Sequence, residues 1–139
     1  MTISAPATLL TAVATLLAVV IALWTAIRVA RTRGRVGIFP PATTGSPELE
    51  CALRAQANTV EHIVIFLPAL WVATLYFQGW IPPAIGLLWC LGRILYALGY
   101  RADKPGRREP GFITGMLSTI ALIVLAGIGI VQAWIVASA

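Results

Sequence analysis

The sequence predicts an all-α integral membrane protein, a four-helix bundle threaded up-down-up-down. Three observations lead there. Of 139 residues, 59% are hydrophobic and 11% charged, with a mean hydropathy of +0.89; a soluble domain is about half apolar and a quarter charged. The apolar residues fall into long runs free of Asp, Glu, Lys and Arg. The ten Lys and Arg, set against five acidic residues for a net charge of +5, lie mostly in short segments between those runs. This balance excludes most soluble enzymes, disulfide scaffolds and disordered tails. It also speaks against nucleic-acid binding, which needs a basic face on a soluble fold.

The first helix is expected over about residues 5–30. Ala5 to Ile27 is a charge-free run of 23 residues ending at Arg28, and about 20 residues cross a bilayer core. Nothing basic precedes Arg28, so the run reads as a span rather than a cleaved leader. The second and third helices, over about 47–77 and 82–101, share the 31-residue run His62 to Gly92, interrupted at Gln78-Gly79-Trp80-Ile81-Pro82-Pro83. Paired prolines after a glycine mark a tight turn, and Trp80 suits the membrane interface. Gly111 to Ala139, 29 residues without a charge, carries the fourth helix over about 111–137. Gly115, Ala121, Gly127 and Gly129 in it suggest close helix packing. The whole chain, 1–139, reads as a single transmembrane domain.

Topology follows from charge. Arg28, Arg31, Arg33 and Arg35 cluster after the first helix, and Arg101, Lys104, Arg107 and Arg108 after the third. An up-down-up-down bundle brings both clusters to one side, while the Gln78–Pro83 turn and the termini carry no basic residue. The positive-inside rule makes the two basic loops cytoplasmic and sends both termini to the opposite side.

Arg54 and Arg93 fall inside predicted helices, as do Glu61 and His62. Ionisable residues within a span are costly, face protein or water, and usually have a function. Arg54, Asn58 and Glu61 at i, i+4, i+7 share a face of the second helix, flanked by Gln56 and His62; Arg93, Tyr96 and Tyr100 at i, i+3, i+7 share a face of the third. Such stripes can line one pocket opening at the basic boundary. Structural ion pairs and belt aromatics are the plainer alternative. A cationic pocket with a few neutral donors suits a small polyanion whose carboxylates meet guanidinium forks. One histidine and unclustered Cys51 and Cys90 argue against a metal site; both cysteines read as buried, small apolar residues.

Arg54-Ala-Gln-Ala-Asn-Thr-Val-Glu61 resembles the hallmark segment of the MAPEG family, the membrane-associated proteins of eicosanoid and glutathione metabolism. The preceding loop, Arg35-Val-Gly-Ile-Phe-Pro-Pro-Ala-Thr-Thr-Gly-Ser-Pro-Glu-Leu-Glu50, and Gly92-Arg-Ile-Leu-Tyr-Ala-Leu-Gly-Tyr100 are similar to two further family segments, in the right order. The resemblance implies a homotrimer with glutathione as co-substrate, held between neighbouring subunits near the cytoplasmic face. Carried over by position, it makes Arg54, Gln56, Asn58, Glu61 and His62 second-helix contacts of glutathione, and Arg93, Tyr96 and Tyr100 third-helix contacts. Arg107, seven residues beyond Tyr100, takes the place of the thiol-activating arginine. Arg31 matches a first-helix arginine for a glutathione carboxylate, with Arg28 and Arg33 as alternatives. His62 departs from the tyrosine of the eicosanoid-forming branch and points toward a broader, detoxifying transferase.

In that reading a hydrophobic electrophile arrives from the lipid phase and no metal is involved; reduction of a lipid hydroperoxide is a second reaction the same thiolate can perform. A non-catalytic lipid-binding or scaffold protein is the alternative, and a small transporter subunit a third.

Overall fold

The computed structural model describes residues 5–139; residues 1–4, and with them the expected position of the N-terminus, lie outside. Four long helices form the bundle: α1 (Ala5–Val36), α2 (Pro47–Tyr76), α3 (Ile81–Gly99) and α4 (Glu109–Ser138), the last entered through a single 3-10 turn, Pro105–Arg108. All four are long and apolar enough to cross a membrane. α2 and α3 lie in the middle; α1 packs against both on one side and α4 on the other.

The core is built from small residues. Ala14, Ala18 and Ile21 of α1 meet Phe66, Leu70 and Ala73 of α2, Trp89 and Cys90 of α3, and Leu122 and Ala126 of α4. Phe66 and Trp89 stack face to face, ring centroids 3.9 Å apart. Polar ties replace the hydrophobic driving force that lipid removes. Thr11 and Thr74 share a hydrogen bond of 2.8 Å, and the Trp71 indole donates to Thr15 Oγ1 at 3.1 Å. Meanwhile Leu16, Val64, Ile123 and Val136 point outward. A small-residue interior under an apolar exterior is the pattern of a bundle solvated by lipid rather than water. The protein is an integral, multi-pass membrane protein.

Local chemistry sets the ends. α1 continues past Arg28 to Val36, further than the charge pattern suggested, because arginine is a good helix former and the chain first turns left-handed at Gly37 (φ +70°). At about 1.5 Å per residue, its last turns stand beyond a bilayer core of about 30 Å and carry all four arginines. α2 starts at Ser46-Pro47, with proline where a missing N–H costs nothing. Between α2 and α3, Gln78 (φ +63°) and Gly79 (φ +79°) make the turn, and Pro82 and Pro83 enter the first turn of α3.

Two glycines decide how α4 meets α3. A Cβ on Gly111 would lie 2.2 Å from the Tyr96 backbone nitrogen, and one on Gly99 would lie 2.2 Å from the Arg107 carbonyl oxygen. Only glycine lets these backbones approach so closely. In α4, Gly129 is similarly pressed against Phe77, whereas no atom among the described residues lies within 4 Å of a Cβ placed on Gly127, which therefore packs against no helix of its own chain there.

Candidate functional site

The close contacts at Gly99 and Gly111 bring the 3-10 turn and the start of α4 beside the last turn of α3. Tyr96 and Tyr100, four residues apart, stand on one face there with rings in a T-shaped contact, centroids 5.4 Å apart. The Arg108 guanidinium lies 4.7 Å from the Tyr100 ring centroid, and that of Arg93 lies 4.3 Å from the Tyr96 ring. The order is therefore cation, aromatic, aromatic, cation, each cation placed for attraction to a ring face.

A groove of about 370 Å³ opens over this ladder, lined by Asn58, Tyr96, Tyr100, Arg108, Glu109 and Phe112. His62, half-buried, sits beside it with its ring 6.2 Å from that of Phe112. On the other side of α2 a second groove, about 760 Å³, is lined by Thr43, Glu50, Arg54, Gln56, Val60 and Glu61, among others. The polar stripes of α2 and α3 thus do not close on one pocket within a single chain. Each residue turns a helix by about 100°, so Arg54, Asn58 and Glu61 share a narrow ridge. Asn58 leans to the tyrosine side, Arg54 and Glu61 to the other, and Gln56 lies wholly on that other side. Asn58 Nδ2 also donates to the Arg54 carbonyl at 3.0 Å. Arg54 and Glu61 are both exposed; the ion pairs among the described residues are Arg35–Glu48 and Arg101–Asp103 instead.

Arg93 stands apart from both grooves. It is completely buried, and its Nη2 donates to Thr59 Oγ1 at 3.0 Å. A guanidinium in mid-bundle turns inward because the outward direction is lipid. Its link to the groove is the ring of Tyr96.

Arg107 is exposed on the 3-10 turn, next to the groove but not lining it, while Arg108 is half-buried within it. The sequence reading did not single out Arg108, Glu109 and Phe112. The i, i+4 spacing of Arg108 and Phe112 brings these two to one face where the 3-10 turn runs into α4, a signal the turn hides.

A third cavity, about 780 Å³, opens at the basic end between α1, the start of α2 and the end of α3. Three of the four first-helix arginines are engaged. Arg28 donates to the Ala97 carbonyl at 2.7 Å, Arg33 to the carbonyls of Ile38 and Ala42, and Arg35 to Glu48. Arg31 is exposed at this mouth with no partner among the described residues. Cys51 also lines the mouth and is only half-buried, contrary to its expected burial, because the cavity opens beside it; Cys90 is buried, its thiol 3.5 Å from the Ala14 carbonyl oxygen. Beyond the membrane, the Arg101 hydrogen bond holds the Asp103 carboxyl below the usual carboxylate range.

The profile of the MAPEG family matches residues 11–128. The chain belongs to the MAPEG family. Among curated relatives of this MAPEG protein, human microsomal glutathione S-transferase 2 is 36% identical over 110 residues, 79% of this chain and 74% of that one. Leukotriene C4 synthase of Cavia porcellus is 34% identical over 130 residues, 94% and 86% of the two chains. An uncharacterised protein of Synechocystis sp. is 44% identical over 116 residues, 84% and 81%.

Proposed function

We propose that this MAPEG protein is a membrane-bound glutathione transferase of broad, detoxifying type, adding an arginine-stabilised glutathione thiolate to hydrophobic electrophiles and reducing lipid hydroperoxides with the same thiolate. The observation that carries this is the groove floored by Tyr96 and Tyr100, capped by Arg108 and bordered by exposed Arg107 at the lipid boundary.

A thiol is a poor nucleophile until ionised, with a free pKa of about 8.5. A guanidinium stays charged and stabilises a thiolate by a charge-assisted contact in a partly dry site. The family resemblance gives this role to Arg107, and Arg108 holds Tyr100 in place. Glutathione carries two carboxylates and an ammonium. Arg54 and Arg31 suit the carboxylates, Glu61 the ammonium, and Gln56 and Asn58 the peptide amides, with His62 at the groove's edge. That Arg31 has no partner among the described residues, when Arg28 and Arg33 are tied to backbone carbonyls, favours Arg31 for this task. Arg93 acts from beneath, orienting Tyr96.

Because Gln56 and Asn58 open on different sides of α2, the complete site joins the Gln56 side of one subunit to the Asn58 side of its neighbour in a homotrimer. The second substrate enters laterally from lipid. The two basic segments face the cytoplasm and both termini the other side.

The test is a glutathione titration of the detergent-purified protein, followed by the ultraviolet absorbance of the thiolate. A saturable thiolate band is expected. Binding without the band turns the reading into that of a lipid-binding or scaffold protein, and no binding rejects glutathione as the co-substrate.

A further inference from the structure

The acceptor that holds Arg93 is a residue outside the polar stripes. Thr59 of α2 and Arg93 of α3 are both fully buried within the single chain, so no neighbouring subunit reaches either. An arginine brings five N–H donors. Among the described residues this guanidinium has one hydrogen-bond acceptor, Thr59 Oγ1, which takes Nη2–H at 3.0 Å; Nε and Nη1 have none.

Thr59 is kept in the accepting sense by its own helix. Its hydroxyl donates its one proton to the Ala55 carbonyl a turn back, at 2.7 Å. That is the bond a helical threonine makes from a stiff, β-branched side chain. The hydroxyl cannot swing away, and its remaining lone pairs are left for α3. Arg93 in turn lies 4.3 Å from the ring centroid of Tyr96, three residues on along the same helix. Attraction of a cation to a ring face is broad, acting out to about 6 Å, whereas a hydrogen bond weakens steeply with angle. The direction of the guanidinium is therefore set at Thr59, and the Tyr96 ring packs against the result. Tyr96 then meets Tyr100 edge to face, and both line the groove.

We infer that Thr59 is a positioning residue for the groove: through Arg93 it sets the ring of Tyr96, against which glutathione lies. The glutathione part of this statement rests on the transferase reading; the placing of Tyr96 does not. Thr59 lines neither groove of α2, although its neighbour Asn58 lines one and its neighbour Val60 the other. One turn of α2 thus supplies a wall of the groove and, from the interior, the anchor of its floor. Without the hydroxyl, the buried guanidinium has no acceptor left among the described residues, a costly state. It then turns toward another oxygen, and Tyr96 loses the cation beside its ring.

The test incorporates 3-fluorotyrosine into the full chain in detergent and reads the fluorine NMR spectrum with no thiol present. The three tyrosines, Tyr76, Tyr96 and Tyr100, give three resonances, assigned by replacing each in turn with phenylalanine. Thr59→Val keeps the shape of the side chain and removes the acceptor. The Tyr96 resonance is expected to move by more than its line width. Tyr76, about 25 Å further along α2 at 1.5 Å per residue, stays in place and reports that the fold is intact. Thr59→Ser keeps the hydroxyl and restores the wild-type spectrum. Thr59→Cys, of similar size but with a weakly accepting sulfur, carries the same readout where Thr59→Val does not fold. In steady-state kinetics the KM for glutathione rises about two- to thirtyfold in Thr59→Val, the loss of a cation from a ring face, with kcat little changed. An unmoved Tyr96 resonance, an equal shift of all three resonances, a Thr59→Ser spectrum like that of Thr59→Val, or an unchanged KM would each overturn the inference. A wild-type protein with no glutathione-dependent turnover rejects the transferase reading instead, and the fluorine spectra then decide the role of Thr59.

Discussion

The Arg107 carbonyl oxygen sits so close to Gly99 that a Cβ there would be 2.2 Å away. This contact fixes the height of the 3-10 turn on the end of α3, and so the positions of Arg107 and Arg108 relative to Tyr100. Gly99→Ala must push the turn outward, since the opposing atom is backbone and cannot rotate aside. Overpacking of this kind costs about 1–3 kcal/mol. We expect a lower melting temperature together with a loss of glutathione-dependent turnover larger than the loss of glutathione affinity. Wild-type turnover in a folded Gly99→Ala protein would show that the height of the turn does not matter to the chemistry.

The neighbouring arginines separate by substitution. Arg107→Ala removes the group assigned to the thiolate. Loss of one preorganised electrostatic contact in a transition state reduces turnover about a hundred- to a thousandfold, and we expect glutathione affinity to stay within a few-fold. Arg108→Ala removes a cation from the Tyr100 ring face, an interaction of about 0.5–1 kcal/mol at an exposed site, or roughly two- to fivefold in affinity. Steady-state kinetics and glutathione titration on both variants check this. The opposite pattern, with Arg108→Ala the inactive one, would move the thiolate role to the residue that lines the groove.

How far the sequence went is clear from particular residues. The four helices were legible because charge-free runs of membrane length have few other folded outcomes, and the turn at Gln78–Pro83 because paired prolines leave a chain little choice. The stripe Arg54, Asn58, Glu61 was legible as a face, but periodicity cannot tell a face from a ridge. What divides it is the packing of α4 against one flank of α2, a tertiary fact. The same holds for Arg93. Its spacing groups it with Tyr96 and Tyr100, yet its guanidinium turns into the bundle toward Thr59, because the outward direction is lipid. Arg108 escaped notice since a 3-10 turn rotates residues differently from the helix it precedes, and the extension of α1 to Val36 because a run of arginines reads equally as loop or as helix.

The loop between α3 and α4 should not titrate in the working range. Asp103 accepts from Arg101 Nε at 3.0 Å and Nη2 at 3.3 Å, and this contact lowers its carboxyl pKa. A carboxyl with a depressed folded pKa contributes its stabilisation above the unfolded value of about 3.9, and loses it as the pH falls through the folded value. Between pH 5 and pH 9 the contact is therefore constant, and any pH dependence of turnover in that window belongs to the thiol or to other groups in the site. We expect an acid limb in the wild-type rate profile below the free thiol pKa of about 8.5, moved upward in Arg107→Ala and unmoved in Asp103→Asn. A limb that shifts in Asp103→Asn would mean that the loop itself titrates.

The division of α2 into two flanks yields the sharpest test of a shared site. Gln56→Ala damages the groove with Arg54 and Glu61, and Asn58→Ala damages the groove with Tyr96 and Tyr100. If each site joins the first flank of one subunit to the second flank of its neighbour, both variants alone carry only damaged sites. In a cyclic trimer that contains both variants, about one interface in three combines two intact flanks. Co-expression with different affinity tags, and tandem purification of the mixed species, should then recover a corresponding share of glutathione binding that neither parent has. The recovery requires no change in either flank, only the meeting of an unaltered Asn58 with an unaltered Gln56 from another chain. Binding in the mixed species no better than the mean of the parents would confine each site to one subunit, and the two grooves would then have to be assigned to different ligands.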